Sequence, residues 1–339
     1  MAILLTRRQF GALAAGGLAM TMPGRQVFAQ ARPIKLKYGT AFPADHPGTL
    51  RIKEAAEAIR KDTGGKVDLQ VYPTSQLGSE PDMISQVRAG AIDFMSTAGT
   101  NLQTLVPVAG INGVAFAFKD YATVWAAMDG ELGAFVRTAL SKVNLHVFDK
   151  CLDNGYRNIT SAIRPVNTPE DLKGFKLRVP GIPLWISMFK ALGASPTAIP
   201  FGELYSALQT KVVDGQENPL ALIRSAKLYE VQKFCSLTGH TWDGHFIFGN
   251  ARKFQALPAE VQASLTANLA AAALKQREDI ARLNTDAQAE LTRLGITFNK
   301  PDPAPFRKLL QSAGFYTEWK KKYGDEAWAK LERYSGPLA

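Results

Sequence analysis

Two cysteines, Cys151 and Cys235, are all that 339 residues supply, too few for a disulfide framework. Each lies in a short apolar stretch that reads as a strand, so buried free thiols are expected rather than a bridge. Runs of five basic residues and the usual nucleic-acid motifs are both missing, which argues against a nucleic-acid partner. After the first 31 residues there is no apolar run of about 18, the length a membrane-spanning helix needs. The motifs of hydrolase, metalloprotease and dinucleotide enzymes (G-x-S-x-G, His-Glu metal pairs, G-x-G-x-x-G) are also missing. His240 and His245 stand five apart, poor spacing for a pair of helical metal ligands, and read as core or solvated histidines. No cofactor and no metal are expected.

What is present starts with a basic, apolar leader. Residues 1–31 hold Arg7, Arg8 and Arg25 and no acid; without those three the formal charge falls from +10 to +7. A positive start, an Ala/Gly/Leu stretch from Phe10 to Met22 and Ala29-Gln30-Ala31 have the layout of a cleavable signal peptide. Thr6-Arg7-Arg8-Gln9-Phe10 is similar to a twin-arginine export motif, while Gly11 and Ala12 leave the general secretory route equally open. The expected location is the periplasm.

The rest alternates strand and helix patterns. Ile34–Tyr38, Val67–Val71 and Ile92–Ser96 read as strands, with helices at Pro47–Lys61 and from a Ser79 cap to Gly90 between them. The same grammar returns at Asn144–Asp149, Lys176–Val179, Trp185–Leu192, Gly202–Thr210 and Val212–Gly215. This predicts an α/β fold with mainly parallel sheets in two lobes. Between Pro258 and Leu294 neither Gly nor Pro occurs, which predicts one helix about 50 Å long at 1.5 Å per residue. Such a helix is longer than one small lobe and should span both. The expected layout is a clamshell: residues 1–31 as leader, 32–153 with 244–283 as lobe I, and 154–243 with 284–339 as lobe II. Hinges are expected near Asp153 and Gly244.

Ligands in such sheets sit in the crevice outside the strand ends, so polar residues there are the candidates. In Lys176-Leu177-Arg178-Val179-Pro180, Arg178 alternates against apolar neighbours. A guanidinium cannot lose its proton and must find an acceptor: an acidic residue elsewhere, or a ligand carboxylate matched by its planar fork. Arg157, in Asn154-Gly155-Tyr156-Arg157 and assigned to a loop, is a second candidate cation. Asn218, held extended by Pro219, offers a donor and an acceptor. In lobe I, His46, Gln76, Glu80, Ser96, Thr97 and Asn101 sit at strand-to-helix turns, as ligand contacts or as satisfied loop groups. Trp185 and Trp242 could stack on a ligand or simply pack; Phe116 and Phe118 read as core or rim.

Four segments in this order carry a resemblance: Asp153–Thr160, Asp171–Pro180, Glu203–Gln209 and Val212–Pro219. Together with Leu77-Gly78…Gln86–Asp93 and Phe254-Gln255-Ala256-Leu257-Pro258, they resemble the DctP-type solute-binding proteins of TRAP transporters over almost the whole chain after the leader. The resemblance implies a two-lobed receptor that closes on an organic acid and delivers it to membrane permease subunits, with no catalysis, and a monomer. It implies that Arg178 clamps the ligand carboxylate, that Arg157 assists and that Asn218 completes the clamp. Family members that hold 2-oxo acids through a metal carry an acidic-aromatic pair where this chain has Gln216-Glu217-Asn218, which argues against a metal. A sensory receptor subunit would share the same binding chemistry, as an enzyme acting on organic acids would share the scaffold.

Overall fold

The computed structural model describes residues 32–338; the leader assigned to residues 1–31 lies outside them. The first lobe opens with strand β1 (Ile34–Thr40), helix α1 (Pro47–Asp62), β2 (Val67–Tyr72), α2 (Glu80–Ala89) and β3 (Phe94–Ala98). Both β2 and β3 run parallel to β1. The Ser79 cap forms as read: its hydroxyl accepts from the Asp82 amide, the Asp82 carboxylate answers the Ser79 amide, and Gly90 ends the helix at φ +80°. In α1 the buried stripe is Thr49, Ile52, Ala55, Ala56 and Ile59. Leu50 is exposed, because a helix turns 100° per residue and Leu50 falls on the far side from Ile52.

Helices α3 (Tyr121–Met128) and α4 (Glu131–Ser141) and strand β4 (Leu145–Val147) lead to the long strand β5 (Leu152–Ser161). The second lobe follows with β6 (Lys176–Val179), α5 (Pro183–Ala191), β7 (Ser195–Ala198), α6 (Leu204–Gln209), β8 (Gly215–Asn218) and α7 (Leu220–Ser225). Here β6 lies between β8 and β7, parallel to both. Then come β9 (Phe234–Asn250), α8 (Ala251–Gln255), α9 (Ala259–Arg293), β10 (Thr297–Asn299) and the tail helices α10 (Pro303–Ser312), α11 (Phe315–Tyr323) and α12 (Asp325–Ser335).

The strand order is β2-β1-β3-β9-β5-β8-β6-β7. The expectation of mainly parallel sheets holds within each block and fails between them. Two parallel blocks are joined by the antiparallel pair β5 and β9, which runs from Leu152↔His245 to Ser161↔Phe234. One end of β9 pairs with β3 and β4, the other with β10. The shared strands therefore belong to both lobes. A bulge between Asp153 and Gly155 interrupts the crossing. Gly155 takes φ +108° there, a conformation that strains any residue with a Cβ.

Helix α9 has the 35 residues expected of it. Its first half packs Val261, Leu265 and Leu269 against Leu36, Ile52 and Ile247. Its last turns put Ala287 and Leu291 against Leu204, Ile223 and Cys235 in a separate core. At the midpoint the Gln276 side chain grips the Asp153 peptide: its amide nitrogen donates to the Asp153 carbonyl at 2.6 Å, and its oxygen accepts from the Asp153 amide at 2.8 Å. One helix thus spans both lobes and is pinned where β5 begins to cross. Cys151 and Cys235 are buried free thiols. No helix among the described residues is long and apolar enough to cross a membrane.

Candidate functional site

Strand β6 is short and lies between β8 and β7, so its side chains are fixed by neighbours on both sides. Arg178 pairs with Thr197 on β7 and Gln216 on β8 and is 1% exposed. Its Nε donates to the Ile199 carbonyl at 2.8 Å, which sets the plane of the guanidinium. Neither terminal nitrogen has a hydrogen-bond or ion-pair partner among the described residues. Burial pushes the Arg178 pKa down to about 10; Arg157 adds to that, and Glu217 and Glu80 oppose it. A charge kept in so dry a place without a protein partner is costly unless something else neutralises it.

Arg178 lines a cavity with Phe42, Glu80, Asn101, Asn154, Arg157, Trp185, Phe201, Asn218, Asp243 and His245 among its walls. It also lines an adjoining chamber with Ser79, Pro180, Ile199 and Gly202 that shares Glu80 and Asn101. The walls come from both lobes and from the crossing strands. Trp185 is oriented by its Nε1, which donates to the Gly113 carbonyl at 3.0 Å.

Arg157 lines the same cavity, but four of its five N–H donors are committed. It lies within β5, not in the expected loop, because pairing with Thr241 on β9 makes that stretch extended. Its Nε and Nη2 donate to the Glu217 carboxylate, Nη2 also to the Glu217 carbonyl at 2.7 Å, and Nη1 to Asp243. Its guanidinium carbon lies 4.4 Å from the Trp185 ring centroid. Burial works against the Arg157 charge, yet Glu217 and Asp243 outweigh it and raise the pKa. Reciprocally, burial disfavours the carboxylates of Glu217 and Asp243, and Arg157 more than compensates, holding both below the usual range. His240 Nε2 donates to the Glu217 carboxylate over 3.2 Å, which leaves Nδ1 of the neutral ring to accept from the Thr238 hydroxyl over 2.8 Å; burial lowers its pKa against the pull of Glu217.

The remaining sequence candidates divide. Asn218 lines the cavity and its amide donates to the Gln216 oxygen. Glu80 lines it too, accepting from the Thr97 hydroxyl, and Thr97 in turn accepts from Asn101 at 2.8 Å. Thr97 therefore braces Glu80 from behind. His46 is fully buried as the cap of α1, accepting from the Gly48 amide at 3.1 Å, and stacks on Phe42 rather than lining the cavity. Burial, with His245 nearby, drives its pKa down to about 3. Gln76 is exposed. Ser96 is buried and donates to Thr40. Trp242 donates to Asp153 at 2.8 Å and packs edge-on against Phe118 and Trp125. None of these three lines the cavity.

Three polar wall residues were not among the sequence candidates for the site: Asn154, Asp243 and His245. Asn154 donates to Asp243 at 2.8 Å. His245 stacks on the opposite side of Phe42 from the cavity-remote His46, 4.4 Å between centroids. The available signal was that Asp243 and His245 stand two apart and so share a face of one strand. Among the described residues no group of three or more His, Cys, Asp or Glu is placed to hold a metal.

Two lobes joined by crossing strands and a shared helix, with a polar cavity between them, define a solute-binding receptor. The chain belongs to the bacterial extracellular solute-binding protein family 7, DctP, whose model matches residues 38–321; the family's members are receptors and not enzymes. It is 35% identical over 246 residues to the 2,3-diketo-L-gulonate-binding periplasmic protein YiaO of Escherichia coli, covering 73% of this chain and 75% of the relative. It is 33% identical over 269 residues to the C4-dicarboxylate-binding periplasmic protein DctP of Rhodobacter capsulatus, covering 77% and 78%. A TRAP periplasmic solute-binding protein from Roseobacter denitrificans, solved with bound β-D-glucuronate, superposes with a TM-score of 0.85 at 29% identity, covering 89% of this chain and 99% of that one.

Proposed function

We propose that this chain is the periplasmic receptor of a TRAP-type transporter, and that it holds a small organic acid with the acid's carboxylate on Arg178. The observation that carries the reading is the Arg178 guanidinium: buried, oriented through Nε by the Ile199 carbonyl, and with neither terminal nitrogen bonded to an acceptor among the described residues. Two parallel N–H donors suit the two oxygens of a carboxylate. At about 1.5–3 kcal/mol for each charge-assisted bond, the pair supplies a large part of the roughly 8 kcal/mol that micromolar binding needs.

Arg157 acts mainly by position in this reading, since Glu217 and Asp243 neutralise its charge and occupy four of its five donors, and Asn218 contributes its amide beside Arg178. Lobe I (32–153 and 244–283) and lobe II (154–243 and 284–339) close over the ligand about the crossing of β5 and β9. The Gly155 bulge and Gly244 absorb the bend, and the closed form docks on the membrane permease. The relatives that bind periplasmic acids support the class of ligand and of partner.

The test is a thermal-shift screen of the protein without its leader against organic acids, with neutral sugars and amino acids as controls. A ligand at about 100 times its dissociation constant adds about 2.7 kcal/mol, so acids should raise the melting temperature by several degrees. Stabilisation by neutral solutes alone would refute the role of Arg178.

A further inference from the structure

We infer that Asp243 and Glu80 make the cavity a charge filter, which admits a polyhydroxylated monocarboxylate and turns away a second carboxylate. The inference rests on the receptor reading above and deepens it. Arg178 is the cavity arginine with no carboxylate partner among the described residues; Arg157 is already neutralised by Glu217 and Asp243, which take four of its five N–H donors. One carboxylate can therefore be matched, and a second would meet Glu80 and Asp243, which line the same walls.

The unpartnered atoms say what the rest of the ligand should carry. Asp243 Oδ1, Asn154 Oδ1 and His245 Nδ1 belong to wall residues, are buried, and have no hydrogen-bond partner. The two oxygens can only accept. A buried acceptor without a donor is costly, and a ligand hydroxyl supplies that donor where a carboxylate cannot. Glu80 is likewise an acceptor facing the cavity, held by the Thr97 hydroxyl on one oxygen. The Asp243 carboxylate stays ionised because burial, which disfavours its charge, is outweighed by Arg157, so its repulsion of a second anion persists across the working pH range. The apolar walls of Phe42, Trp185 and Phe201 suit the C–H faces of a hydroxylated carbon chain.

The experiment compares matched acids that differ at one end: an aldonate, ending in CH₂OH, against the aldarate of the same configuration, ending in a second carboxylate. Galactonate with galactarate, gluconate with glucarate and erythronate with meso-tartrate form the panel, and succinate is added. Calorimetry on the wild-type protein should show the monoacid binding at least tenfold tighter than its diacid, and succinate failing to compete at tenfold excess. Glu80→Gln should shrink the gap between the two members of a pair severalfold. An aldarate or succinate binding as tightly as the aldonates would overturn the filter while leaving the receptor reading standing. A gap that Glu80→Gln leaves unchanged would remove Glu80 from it. Silence from every acid, with Arg178→Gln indistinguishable from wild type, would overturn both readings together.

Discussion

Arg157 and Arg178 line one cavity and are nearly equally buried, at 3% and 1% exposure, yet Arg157 spends its donors on Glu217 and Asp243 while Arg178 gives one to the Ile199 carbonyl. The same side chain, on β5 and β6 with β8 between them in one sheet, is a structural ion pair in the first case and keeps both terminal nitrogens unpaired among the described residues in the second. This difference organises what the site should do when either residue is changed.

Arg157→Met is expected to destabilise the ligand-free protein by about 3–5 kcal/mol, because it strands the buried carboxylates of Glu217 and Asp243. Arg178→Met is expected to leave that stability unchanged or raise it, since it removes an unpaired buried charge and fills the same space. Urea denaturation of the two variants measures this. Equal losses in both would mean that Arg178 has a structural partner after all.

The acid side of the stability profile should carry the signature of His46. Its folded pKa of about 3 lies below the 6.5 of an unfolded histidine. The unfolded chain therefore binds the extra proton, and this contribution to stability is lost as pH falls from 6.5 toward 3. The slope is about 1.4 kcal/mol per pH unit. His46→Asn keeps an acceptor for the Gly48 amide and should abolish that slope relative to wild type in denaturation series at pH 4 to 7. An unchanged slope would contradict a neutral, buried His46.

Asp153 should act in the opposite sense over nearly the same window. Burial lifts its pKa to about 7, against hydrogen bonds from Trp242 and Tyr121. Here the folded state holds the proton longer, so the contribution is full below about 3.8 and fades as pH rises through 7. Asp153→Asn retains an acceptor for Trp242 and should become progressively more stable than wild type between pH 4 and 7. A difference that does not vary with pH would show that Asp153 is ionised throughout.

Gln276 fixes the start of the lobe crossing. Gln276→Met leaves the buried amide and carbonyl of Asp153 without their partners, at about 1–3 kcal/mol each. Hydrogen exchange at the Asp153 amide should accelerate by two orders of magnitude or more, with α1 and β1 little affected. Uniform acceleration across the chain would instead mark a global loss of stability.

Much of the fold could be read from local pattern. The Ser79–Asp82 capping box, the 35-residue α9 and the β6 strand carrying Arg178 each depend on residues within a few positions of one another. The crossing of β5 and β9 could not be read that way. Gly239 and Gly244 punctuate β9 as if it were a loop, and the bonds that make it a 17-residue strand come from β3 and β5, far away in sequence. The same non-locality hid the ion pairs of Arg157. Its partners lie 60 and 86 residues away, so the sequence shows a cation without its answering carboxylates. His46 stood at the expected turn, but the ring stack through Phe42 places His245 at the wall instead.

The central claim is that Arg178 holds the carboxylate, and its most direct measurement is calorimetric titration of the tightest-binding organic acid into wild type and Arg178→Gln. The expected result is a 100-fold or greater loss of affinity in the variant, with an unchanged melting temperature for the ligand-free protein. Affinity within threefold of wild type, in a variant that folds normally, would contradict the account.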